Sequence, residues 1–170
     1  MDEMERDSVD RLNEDLAREY PDVDPLVEGV VTRIHRLSKY IKKSLGDTAA
    51  TLDLTLGDWD ILTNLHCLSG SHSMSPGQLS ANVQLSSGAM TSRLDRLEKA
   101  GLIRRRPDPD DRRGVRVEAT DAGKALWRTA VDIQAAKEKM FAKPLTPEEK
   151  ELLNSLLRKM MLSFERSPVT

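Results

Sequence analysis

The 170-residue sequence is poor in aromatic side chains and has a single cysteine. Phe, Trp and Tyr make up 4% of the residues, so a buried core must be built from aliphatic residues, methionine and alanine. Such a core suits packed helices better than a β-sandwich. With one cysteine, Cys67, the chain forms neither an intramolecular disulfide framework nor a CxxC motif. We therefore expect a mainly α protein that is stabilised by packing.

The sequence also lacks long hydrophobic runs and catalytic signatures. No stretch approaches the length of a membrane span, and the acidic start MDEMERDSVD does not resemble a secretory signal, so we expect a cytoplasmic protein. It contains no GxSxG motif, no Gly-rich phosphate loop after a strand and no HExxH motif. These absences indicate that the protein is not an enzyme and uses no cofactor.

The net charge of −2 hides an uneven distribution along the chain. Residues 86–116 contain nine Lys and Arg against five Asp and Glu, a local balance of +4, which leaves −6 for the rest. Because phosphates respond to the local field, an acidic protein with one basic segment can orient on DNA without adhering to nucleic acid in general. The charge pattern favours a DNA-binding protein.

Hydrophobic periodicity predicts three helices before the basic segment. Residues 3–19 form a short amphipathic helix, and a longer one begins at Pro25. A third helix carries Trp59 and is capped by Asp58 or Thr55. It is expected to stop near 69–71, where the sequence is Ser-Gly-Ser.

Two further helices are predicted after the basic segment. Thr120 or Asp121 caps a long helix that ends before Pro144. Thr146 and Pro147 begin a final helix with an amphipathic pattern. The chain therefore has helices at both ends of its sequence.

Between these helices, the sequence has the order of a winged helix-turn-helix. Ser75 and Pro76 start a helix of two turns, and a turn at 84–85 leads to a second helix over 86–100, which ends at Gly101. Residues 102–106 and 115–119 flank a loop of Pro, Asp, Arg and Gly, which predicts a β-hairpin wing over 102–119. This unit joins a helix that fits a major groove to a basic loop beside it.

The second helix leaves small and hydrogen-bonding residues on its outer face, as contact with base edges requires. Serines at helix starts can bind phosphate oxygens. The predicted DNA contacts from this unit are Ser75, Ser86, Ser87, Gly88, Thr91, Ser92 and Arg96. In the wing, Arg112 and Arg113 are predicted at the tip, where arginine is attracted to a narrow minor groove. The wing aspartates at 108, 110 and 111 are predicted to hold the arginines and not to bind a metal.

The stretch LSSGAMTSRLDRLEKAGLIRRRPDPDDRRGVRVEATDAG resembles the MarR family of bacterial transcription regulators, and the similarity spans roughly residues 26–165. The resemblance implies an obligate homodimer that binds a palindromic operator through two winged helices. It also implies autoregulation or repression of a neighbouring gene. It also implies one MarR-type domain over 1–170. The helical dimerisation region is expected at 1–50 and 120–170, and the DNA-binding region at 54–119.

Within that family, TLGDWDIL and the following SSGAMT to DDRRGV string are similar to the urate-responsive HucR- and PecS-like branch. This similarity implies that Asp60, Arg93 and Arg105 bind a ligand, with Trp59 at the border of the pocket. The branch also uses a tryptophan in its first helix, and this chain has none before Trp59. The implied ligand is therefore a small anionic aromatic molecule, urate-like or phenolic.

The chemistry of this trio is physically consistent with control of DNA binding. Guanidinium groups suit a planar anion, and in an empty site Asp60 can pair with Arg105 or Arg93. Since both arginines belong to the DNA-reading element, ligand and DNA must oppose each other's binding reciprocally. A structural salt bridge without a ligand is the alternative.

Three other interpretations of the sequence stay open. An effector-independent architectural DNA-binding protein would share the winged helix, and so would a protein-interaction module that binds no DNA. A redox-responsive regulator would use Cys67, although the sequence favours a packing role because no second cysteine is present to resolve an oxidised thiol. His66, Cys67 and His72 lack the spacing of a zinc site, so we predict no metal.

Overall fold

The structure is a computed structural model that describes residues 6–68, 73–109, 111 and 114–166. Within these ranges it contains seven α-helices, one π-helical turn and three short strands. The chain divides into two compact units, Met1–Leu56 and Gly57–Thr170. None of the helices in the described ranges combines the length and the hydrophobicity that a membrane span requires.

The first unit contains a short helix α1 (Ser8–Glu19) and a long helix α2 (Pro25–Ala50). The predicted start of α1 at residue 3 lies outside the described residues. In the described part the helix begins at Ser8, because the Asp7 side chain accepts hydrogen bonds from two backbone amides and caps it. Arg33 of α2 binds Asp7 at 2.9 Å and Asp10 at 2.6 Å. Its guanidinium lowers the pKa of Asp7 to about 2. These ion pairs attach α1 to α2.

Helix α3 (Leu56–Thr63) belongs to the second unit from Gly57 onward and continues as a π-helical turn, Asn64–Leu68. Of the two predicted caps, Asp58 is wrong, because it is buried in the first turn of the helix, whereas Thr55 directly precedes the first helical residue. The expected end of the helix near 69–71 and His72 lie outside the described residues. Cys67 is exposed, so the predicted packing role within the chain is also wrong. Leu65, on the opposite side of the turn, fills the core instead.

Helices α4 (Pro76–Val83) and α5 (Ser87–Lys99) form the predicted helix-turn-helix. Ser75 caps α4 in a reciprocal pair with Gln78, as predicted, and of the two serines able to cap α5 it is Ser86 that does so. Gln84 makes the turn with a left-handed φ of 52°. The two helices share a buried core made of Leu79, Met90, Leu94 and Leu97.

The predicted wing is present as an antiparallel hairpin of strands β2 (Ile103–Pro107) and β3 (Val115–Ala119). A further strand, β1 (Ser73–Met74), pairs with the other edge of β3, which gives the sheet order β1-β3-β2. Two residues are too few to show a period in the sequence, so β1 was not predicted. Val117 and Ala119 of β3 face the core.

Helices α6 (Asp121–Phe141) and α7 (Pro147–Arg166) complete the chain, and Thr120 caps α6 as predicted. In α7 no described residue is buried, although the helix is amphipathic. Its exposed apolar side chains are Leu152, Leu153, Leu156, Leu157, Met161, Leu162 and Phe164. An exposed apolar face of this kind is typical of a surface that binds a partner.

Gly123→Ala is expected to destabilise the junction between the wing and α6 by about 1–3 kcal/mol. A Cβ at this position would lie 2.9 Å from the carbonyl carbon and 3.3 Å from the Cα of Leu102, and backbone atoms cannot move aside cheaply. The measurement is the free energy of unfolding in urea. Gly46→Ala, whose Cβ would meet only the Leu56 side chain at 3.8 Å, is the matched control and should be neutral or stabilising. Equal effects of the two substitutions would contradict this account.

Candidate nucleic-acid interface and ligand site

The outer face of α5 carries small polar groups. Ser87, Gly88, Thr91 and Ser92 are exposed, and Met90 on the opposite side is buried. The Thr91 hydroxyl donates a hydrogen bond to the carbonyl of Ser87 at 3.0 Å. Because no bulky apolar group stands on this face, the helix can approach the floor of a major groove.

The two capping serines stabilise the starts of their helices, and each keeps a hydroxyl proton that it can donate. The Ser75 hydroxyl oxygen accepts from the Gln78 amide at 3.2 Å, and that of Ser86 accepts from the Ala89 amide at 3.4 Å. A hydroxyl that accepts at its oxygen keeps its own proton for donation. Both serines can therefore donate to a phosphate next to exposed helix-start amides.

The wing strands are joined by ion pairs. Arg104 and Arg106 of β2 lie 2.9 Å and 3.3 Å from the carboxylate of Glu118, and Arg116 of β3 lies 2.7 Å from that of Asp108. Asp108 thus binds an arginine of β3, and its predicted support of the tip arginines stays a prediction. Asp110 and the predicted tip arginines, Arg112 and Arg113, lie outside the described residues, so their contacts stay predictions.

Asp60 and Arg93, two of the predicted ligand residues, are close in the structure. Partial burial raises the pKa of the Asp60 carboxyl, and the nearby charge of Arg93 opposes that shift. Arg93 lies directly over Gly57 in the first turn of α3, where a Cβ would meet its guanidinium and lie 2.9 Å from its Nε. The sequence did not point to Gly57, because its importance depends on an arginine from another helix.

Arg105 has partners other than Asp60. Its guanidinium lies 2.7 Å from the carboxylates of Asp95 and Glu98, both on α5. Burial lowers the pKa of Arg105, but the hydrogen bonds to these two acids outweigh it, so the pKa lies above the ordinary value. The possible Asp60–Arg105 pair is therefore replaced by pairs with α5. The structure brings together only part of the predicted trio.

The remaining predicted residues have structural contacts. Arg96, predicted to bind DNA, donates to the buried carboxylate of Asp58. Trp59, predicted at the pocket border, is only 9% exposed and belongs to the core. Its place at a ligand site stays a prediction. His66 stacks on Trp127 with ring centroids 4.4 Å apart.

Two helices joined by a tight turn and followed by a basic hairpin, which forms a three-stranded sheet with the strand before the helices, define the protein as a winged helix-turn-helix of the DNA-binding class. The sequence profile of the MarR family matches residues 54–115, which contain α3 to the start of β3. The regulator PecS of Dickeya dadantii is 35% identical over 136 residues, covering 80% of this chain and 81% of PecS. The chain belongs to the MarR family of transcriptional regulators.

Solved structures agree with this assignment. Wild-type apo MarR from E. coli has a TM-score of 0.68 and 28% identity, covering 76% of this chain and 93% of its own. A cysteine variant of E. coli MarR complexed with operator DNA has a TM-score of 0.64 and 26% identity, covering 85% and 96%. These likenesses confirm the predicted family and the mainly α fold with a small wing. PecS is named as a transcriptional regulator.

Proposed function

We propose that this MarR-family regulator is a homodimeric repressor that binds a palindromic operator through α5 and the wing. The observation that carries the proposal is the uncharged, small-residue face of α5 beside an arginine-rich hairpin. The family relationship and the operator complex of the E. coli relative support operator binding. We further propose that it acts in the cytoplasm on a neighbouring gene.

Dimerisation through the terminal helices is supported by their exposed apolar surfaces. α7 has no buried residue, and α2 exposes apolar side chains along its length. These in α2 are Leu26, Val27, Val30, Val31, Ile34, Leu37 and Ile41. We propose that 1–50 and 120–170 form the dimerisation region of one MarR-type domain and that 54–119 bind DNA. Each half-site of a palindrome then meets one winged helix.

The experiment that tests the repressor is footprinting on the intergenic DNA upstream of the gene, since a repressor of a neighbouring gene has its operator there. We expect a sharp footprint over an inverted repeat whose half-sites are about one helical turn apart. Diffuse binding that grows with DNA length would instead identify an architectural protein. A response to peroxide that disappears in Cys67→Ser would identify the redox-responsive alternative.

Ligand-induced release is proposed to involve Arg93 and the nearby carboxylate of Asp60. An anionic aromatic molecule would gain the Arg93 guanidinium and would compete with Asp60 for it. Since Arg93 belongs to α5, a ligand that moves Arg93 changes the position of the helix that meets the operator. Ligand and operator would then weaken each other's binding by the same factor.

Gly57→Ala is expected to raise the concentration of urate or hydroxybenzoate needed for half-maximal release about tenfold, by costing one charge-assisted hydrogen bond. The new methyl group would occupy the place of the Arg93 guanidinium and displace it. A shift assay with each compound measures the effect, and Gly46→Ala is the control. If neither compound releases wild-type protein, the ligand proposal fails for these classes; an unchanged Gly57→Ala midpoint would place their binding elsewhere.

A further inference from the structure

Asp58 is an unusual residue in this fold. Its side chain is completely buried. No other Asp, Glu, Lys or Arg side chain among the described residues is buried. A carboxylate in such a place is costly unless a cation binds it. Arg96 supplies the cation and donates from Nη2 to Asp58 Oδ2.

The ion pair joins α3 to α5 on one side of α5. Arg93 and Arg96 are one turn apart, and both reach the first turn of α3, at Gly57 and Asp58. The other side of α5 carries Asp95 and Glu98, which bind Arg105 of the wing. Ion pairs therefore hold α5 on two sides. On one side α5 supplies the cation, and on the other it supplies the carboxylates.

The rotation of α5 about its own axis decides where its outer face points. With side chains about 5–6 Å from the axis, a 20° rotation moves the outer groups by about 2 Å. That displacement is enough to break a hydrogen bond to a base edge. A residue that fixes the rotation of α5 therefore affects the choice of DNA sequence without contacting DNA.

We propose that Arg96 is a positioning residue, anchored by Asp58, that sets the orientation of α5 against the operator. Arg96 was predicted from the sequence as a DNA contact, and the proposal gives it a different role. The inference rests on the proposed function, since it concerns how α5 meets the operator. In this role, the Arg96 charge neutralises a buried carboxylate and contributes no phosphate contact.

The test compares Arg96→Ala, Arg96→Lys and Asp58→Asn in the full chain, each checked for folding by circular dichroism. The probe is a duplex that the wild-type protein selects from a random library, with an unrelated duplex for nonspecific binding. Affinities are measured from 50 to 200 mM potassium chloride. Lysine keeps the positive charge but lacks the planar, forked donors of arginine. Arg96→Lys should therefore preserve a phosphate contact but weaken an ion pair that depends on the donor geometry.

We expect all three substitutions to weaken binding to the selected duplex about tenfold or more, while nonspecific affinity and the salt slope stay unchanged. The double variant Asp58→Asn, Arg96→Ala should be no weaker than either single variant. A phosphate contact would instead reduce the salt slope of Arg96→Ala by about two in a homodimer, with Arg96→Lys close to wild type. That result, or full affinity in a folded Arg96→Lys, would overturn the proposal.

If Asp58→Asn does not fold, the two Arg96 variants decide between the two roles. If the wild-type protein selects no duplex, the proposed function itself fails.

Discussion

Leu153→Asp combined with Leu156→Asp is expected to convert the protein to a monomer and to lower operator affinity about 100-fold or more. Both side chains are exposed on α7, 44% and 52%, and would be buried in the proposed dimer. Burying a leucine contributes about 1.5–3 kcal/mol, and each substitution acts in both protomers. A buried, unpaired aspartate adds a desolvation cost.

Analytical ultracentrifugation measures the oligomeric state, and a shift assay on the operator measures affinity. Ser155→Asp adds one negative charge, against two in the double variant, to the opposite side of the same helix. It serves as the control, which should remain dimeric with wild-type affinity. Because α7 buries no residue within the chain, the double variant should keep its helix content. A dimer that survives both substitutions would contradict the placement of the interface on α7.

Arg112→Ala combined with Arg113→Ala is expected to weaken operator binding about 100-fold at physiological salt, mainly through lost contacts to DNA at the wing tip. A homodimer carries each arginine twice, so the pair removes cationic contacts from both half-sites. The slope of log affinity against log salt should become shallower by roughly 3 to 4. The expected change in slope includes the contacts of both protomers, because the dimer contains each arginine twice.

The matched control removes two arginines from α1, with Arg11→Ala and Arg18→Ala. Both control residues are exposed, and Arg18 pairs with a neighbour on its own helix, Asp15. The control should leave the salt slope unchanged. A wing variant with full affinity and an unchanged slope would remove the wing tip from the DNA interface.

Much of the fold could be predicted from local signals. Ser75 with Pro76, Ser86 and Thr120 are caps whose chemistry acts within three residues, so the sequence alone places the starts of α4, α5 and α6. The hairpin follows from alternation in β3 and the Gly114 turn between its strands. Such signals depend on neighbours along the chain.

The partners of the arginines could not be predicted in the same way. Arg96 and Arg105 were assigned by residue type, but their ion pairs depend on how α3, α5 and the wing pack. Gly57 matters only because Arg93 lies over it, and Asp58 looked like a helix cap because acids are common there. Tertiary geometry decided each of these cases.

The uncharged outer face of α5 has an evolutionary consequence. Ser87, Gly88, Thr91 and Ser92 have no fixed charge and no ion pair to preserve, so they can change without altering the electrostatic attraction supplied elsewhere. Gene duplication followed by substitutions at these positions would give regulators that prefer different operators while keeping one fold and one strength of nonspecific binding. In this fold, sequence preference can diverge separately from affinity for the DNA backbone.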